Sequence, residues 1–68
     1  MTDDDILMTI EELAFDGHVG LCTRYLRTAK RTVQRINDMI ENEKFYDFKV
    51  RLTTNKEDRF PYGVEVIR

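Results

Sequence analysis

Arg24, Arg27, Arg31 and Arg35 follow one another at spacings of three and four residues. On a helix, at 100° per residue, they fall within an arc of about 80°. Such a stripe can contact phosphates, pair with carboxylates or face water. The chain offers the carboxylates itself. Residues 1–17 hold Asp3, Asp4, Asp5, Glu11, Glu12 and Asp16 and no base, whereas residues 18–35 hold the four arginines plus Lys30 and no acid. The whole chain still sums to a formal charge of −2. Segregated blocks within a nearly neutral chain point to electrostatic complementarity, inside the molecule or between molecules.

Other chemistry finds little support. His18 and Cys22 are the one histidine and the one cysteine. Four residues apart they share a helix side, and Asp16 is a third candidate ligand, but a structural zinc site wants four. They read better as a helix-terminus histidine and a core thiol. The three successive aspartates point in different directions on a helix and form no magnesium cage. There is no glycine-rich phosphate loop, and 68 residues leave little room for a cleft. We expect no enzyme activity, no catalytic residues, no metal and no cofactor.

The elements that must position these groups follow from periodicity. "TDDDILMTIEELAF" predicts a helix. Thr2 and Asp5 fit a capping box, and acids in the first turn suit the positive helix end. Ile6, Leu7, Ile10, Leu13 and Ala14 share one face. Met8 and Phe15 stack on the opposite side, beside Glu11 and Glu12. "DGH" breaks the helix, with Gly17 suited to a left-handed cap. A second helix is expected from about His18 to about Glu43. Its apolar seam is Val19, Cys22, Leu26, Ala29, Val33, Ile36 and Ile40, at alternating spacings of three and four. A second row, Leu21, Tyr25, Thr32 and Met39, widens the apolar arc to about 160°, beyond the ~100° that one packing face needs. The excess predicts that this helix is covered from two directions.

The period then changes to two. "FYDFKVRL" turns Tyr46, Phe48, Val50 and Leu52 one way, and "RFPYGVEVIR" does the same with Phe60, Tyr62, Val64 and Val66. With "TTNKED" as loop, this is a β-hairpin with one apolar side. Pro61 belongs at an edge or a strand start. The expected fold is α+β: a two-helix hairpin, short then long, followed by an antiparallel β-hairpin packed on the long helix, all in one small domain over residues 1–68.

A domain this small is marginal alone, and one cysteine allows no internal disulfide. A homo-oligomer, most simply a homodimer, would supply the missing stability. Rows of exposed apolar residues are the expected interfaces. Met8, Glu11, Glu12, Phe15, Leu21, Tyr25 and Met39 form the candidate partner-binding set, with Phe45 and Ile67 on the back of the hairpin. The chain starts "MTDDDI", acidic where a signal peptide is basic, and has no run near the roughly 20 apolar residues of a membrane span. The expected setting is cytoplasmic, with no membrane contact.

The leading expectation is a non-catalytic protein-binding module. By analogy with the small accessory proteins of phages and mobile elements, it would inhibit or modulate a larger host protein by steric and charge-complementary docking. The alternative rests on outline. Helix, turn, basic helix and hairpin resemble a winged helix, which implies a DNA-binding transcriptional regulator contacting nucleic acid through Arg24, Arg27, Arg31 and Arg35, with "TTNKEDR" as wing tip. The acidic balance counts against that.

Overall fold

A computed structural model describes residues 2–44 and 46–67. Helix α1 spans Asp3–Asp16 and is closed at its start by side chains. The Asp5 N–H donates to Thr2 Oγ1 at 3.2 Å, and the Thr2 N–H donates to Asp5 Oδ2 at 3.1 Å. This is the expected capping box. The bond from the Thr2 N–H, with the hydroxyl contact second, holds the Asp5 carboxyl below its ordinary value of 3.8. Gly17 ends the helix in the left-handed region at φ 80°, and its N–H donates to Leu13 O at 2.8 Å. Ile6, Ile10 and Leu13 are sealed inside, Leu7 is half-buried, and Ala14 stays exposed.

The next segment departs from expectation. His18–Gly20 is a strand, β1, and the long helix, α2, spans only Leu26–Glu43. Two further strands follow, β2 over Lys49–Thr54 and β3 over Tyr62–Ile67. They make an antiparallel sheet in the order β1-β3-β2. β1 lies with His18 opposite Glu65 and Gly20 opposite Gly63. The bonds continue past the strand. The Val66 N–H donates to Gly17 O, and the Leu21 N–H to Tyr62 O, both at 2.9 Å. Residues 17–21 thus cover an edge of β3 that a hairpin alone would leave open. A third strand also makes the sheet able to stand, which two strands seldom manage. Within "HVGLC", Val19 and Leu21 turn inward while His18, Gly20 and Cys22 turn outward. The period is two, and the helical spacing of Val19, Cys22 and Leu26 was coincidence.

That change corrects several assignments. Cys22, expected in the core, is an exposed thiol. Leu26, expected in mid-seam, stands at the helix start and is 43% exposed. Leu21, expected at an interface, is sealed in the chain's own core, and Met39 is half-buried against that core. His18 and Cys22 share no helix face, because no helix carries them.

The hairpin forms as expected, shifted by a few residues. Thr53 and Thr54 belong to β2 rather than to the loop, and β3 starts after Pro61. Phe48 and Tyr46 precede β2 and meet edge to face at 5.6 Å. Phe45 lies outside the described residues. One face of the sheet, through Val50 and Val64, joins Ile6, Ile10, Leu13, Leu21, Ala29, Ile36, Ile40 and Phe48 in a continuous core. Both α1 and the sheet pack against α2.

The free edge of β2 is partly closed by a side chain. Val50 lies opposite Val66, whose N–H turns the other way, to Gly17. Antiparallel pairs alternate, so Val50 turns its own N–H and C=O to the outer edge. There the Asn37 amide acts as a short strand. Its Oδ1 accepts from the Val50 N–H at 2.9 Å, and its Nδ2 donates to Val50 O at 3.1 Å.

Candidate interaction surfaces

α1 carries its outward groups at the spacing of one helix face. Met8, Glu11, Glu12, Phe15 and Asp16 lie together on one open patch of surface. Phe15 is 92% exposed and Met8 62%. Ile6, Ile10 and Leu13 fix this orientation from the other side, since all three are fully buried. Burying a Phe or Met side chain is worth about 1.5–3 kcal/mol, so leaving both in water is costly. Among the described residues, Glu11, Glu12 and Asp16 meet no cation. The face is an apolar ridge set among three carboxylates that pair with no cation among the described residues.

The arginine stripe does not survive as one surface. Arg35 donates to Asp3 Oδ1 at 3.2 Å, tying α2 to the first turn of α1. Arg27 and Arg31 are exposed on α2. Arg24 lies before the helix, in the connection from β1, with its guanidinium carbon 6.0 Å from the centre of the Phe60 ring. Arg59 approaches the same ring at 5.7 Å. The two guanidinium groups are therefore no more than about 12 Å apart, where like charges in water repel by about 0.3 kcal/mol or more. Cation–π contacts of about 0.5–1 kcal/mol each at exposed sites offset that. Among the described residues neither arginine pairs with a carboxylate. Tyr25, Leu26 and Phe60 are the exposed apolar groups of this region.

The structure therefore leaves Met8, Glu11, Glu12 and Phe15 together on α1, leaves Tyr25 exposed near Arg24, and withdraws Leu21 and Met39 into or against the core. Sequence reading missed Phe60 as a surface group and placed Arg59 only at the end of a wing-tip loop. A signal existed in "RFPY": Pro61 lacks a donor, so the ladder is expected to begin after it, and Phe60 then falls in the loop.

A wider groove of about 720 Å³ opens at the C-terminal end of α2, between Gln34, Asp38 and Glu41 on the helix and Asp47 and Lys49 before and on β2. Its ionisable groups are Asp38, Glu41 and Asp47, Lys44 and Lys49, and Tyr46, without histidine or cysteine. Among the described residues no three His, Cys, Asp or Glu side chains converge as metal ligands do, and no helix is long and apolar enough to cross a membrane. No family model, curated protein or solved structure matches this chain.

Proposed function

We propose that the chain is a non-catalytic interaction module, self-associating, that inhibits or modulates a larger protein by docking on it. Its mechanism is steric occlusion guided by charge, without turnover, in a reducing cytoplasm where Cys22 stays a thiol. The observation that carries this reading is the α1 ridge, with Phe15 92% exposed amid Glu11, Glu12 and Asp16. Aromatic and methionine side chains that a fold holds out in water are the residue types enriched in protein interfaces. The flanking carboxylates select a partner with basic and apolar groups. The test compares tagged wild type with a Met8→Ser, Phe15→Ser double variant, each purified from its native cell. A larger protein that copurifies with wild type and is lost with the variant supports the reading. Identical recoveries from both refute it.

A DNA-binding role in the manner of a winged helix is the second reading. It is favoured by the loop after β2, which brings Arg59 and Arg24 to one Phe60 ring, ahead of the exposed Arg27 and Arg31 in the first half of α2. Four such contacts would give a log affinity falling with log salt at a slope of about −3 to −4. A gel shift with that slope, abolished by Arg27→Glu plus Arg31→Glu, would establish it. No shift at micromolar protein would remove it.

A further inference from the structure

We infer that copies of this chain join by seating the Met8–Phe15 ridge of α1 from one copy on the Arg24–Phe60–Arg59 cluster of another. The inference rests on the interaction-module reading and names the first partner of that same ridge.

Each surface has what the other lacks. Among the described residues, the ridge presents Glu11, Glu12 and Asp16 without a cation. Among the described residues, the cluster presents Arg24 and Arg59 without a carboxylate, with Arg27 exposed in the first turn of α2. Three acids thus face three arginines. The apolar parts match as well. Phe15 and Met8 stand out from the ridge, and Phe60 and Tyr25 stand out by the cluster. Phenylalanine is well suited to lie against guanidinium planes, and a thioether against an aromatic ring.

Within one copy the two surfaces do not pair: among the described residues no ion pair joins Glu11, Glu12 or Asp16 to Arg24 or Arg59, and α1 is held in place by Ile6, Ile10 and Leu13, which are fully buried. Net charge favours a second copy over a polyanion. At −2 overall, two chains repel each other weakly, whereas a nucleic acid, charged at every phosphate, is repelled more strongly by the same net charge. A contact between two different surfaces gives a closed dimer if a two-fold axis lets it form twice, and a growing chain if not.

The test is a charge swap followed by sedimentation. Wild type should exceed monomer mass between about 1 µM and about 1 mM, and less so at high salt. Glu11→Arg plus Glu12→Arg should weaken self-association at least tenfold, as should Arg24→Glu plus Arg59→Glu. Mixed one to one, these two variants should associate again, because each keeps the surface the other has lost and the reversed surfaces now match. Circular dichroism checks that each variant is folded, and Phe15→Ser, which alters no charge, stands in for one that is not. Wild type at monomer mass throughout overturns the inference. So do reversals that associate as well as wild type, and a mixture that stays monomeric. A monomer that binds single-stranded DNA through Arg24 and Arg59 assigns the cluster to nucleic acid and overturns it too. Loss of a foreign protein on Phe15→Ser, with wild type monomeric, would leave the module reading standing and sink self-pairing alone.

Discussion

The first turn of α1 is closed by two reciprocal bonds between Thr2 and Asp5, while the first turn of α2 has no side-chain cap at all. α1 begins with three aspartates that suit its positive end; α2 has no acid in its first turn. α1 therefore starts where its own sequence says. α2 starts where the sheet lets it. Residues 17–21 bond to β3, and the helix begins only once the chain is free of that pairing. Local capping sets one boundary and tertiary hydrogen bonding sets the other.

Several substitutions would break or sharpen this contrast. The largest effect lies deep in α2. Ile36 is fully buried, and Ile36→Ala should cost about 2–5 kcal/mol, against about 1 kcal/mol or less for Leu26→Ala at the half-exposed start. Urea melts that rank the two the other way round would show the seam holding the helix start after all. Next comes the β2 edge. Asn37→Ala strips the Val50 N–H and C=O of their partners and should cost about 1–3 kcal/mol. Asn37→Asp should fail to restore it, because a carboxylate accepts from the N–H but repels the carbonyl oxygen.

The strand that shortens α2 can be loosened directly. A Cβ on Gly63 would stand 2.9 Å from His18 Nε2, 2.8 Å from Thr53 Oγ1 and 3.2 Å from Val19 O. The side-chain ends can swing away, but the carbonyl belongs to β1. Gly63→Ala should cost about 1 kcal/mol and speed amide exchange at Leu21, whose N–H bonds to Tyr62 O. Unchanged exchange there would mean that β1 tolerates the crowding.

At the start of α1, Thr2→Ala should cost about 1 kcal/mol in thermal or denaturant unfolding. Its pH signature has a definite sign. The folded Asp5 carboxyl lies below its ordinary 3.8, so its contribution is fully present above that value and is lost as pH falls through the lowered one. Asp5→Asn should flatten that part of the acid-side loss. The smallest effect is a gain. Tyr25 caps α2 with extended backbone, φ −102° and ψ 120°, but without a side-chain bond. Tyr25→Asp adds an acceptor there and should stabilise the fold by up to about 1 kcal/mol.

The legible parts of this chain were those decided by neighbours in sequence. The capping box, the glycine stop, the buried face of α1 and the hairpin's alternation all involve residues within a turn or a pleat of each other. The ridge was legible for the same reason, since Met8 and Phe15 are placed by helical spacing alone. The basic cluster was not. Arg24 and Phe60 are far apart in sequence, and only folding brings the loop after β2 to the connection before α2. The stripe misled because it assumed a helix through Arg24, and because Arg35 answers to Asp3 across the fold.

By itself the sequence determined an α+β chain with one sealed helix face, one exposed acidic ridge and an amphipathic hairpin, because side-chain periodicity and capping act over a few residues. The tertiary structure alone decided that His18–Gly20 is a strand, that Leu21 is core and Cys22 is surface, and that Arg24 and Arg59 share a ring. A three-residue segment has too little periodicity to choose between helix and strand. The open edge of β3, supplied from more than forty residues away, made the choice.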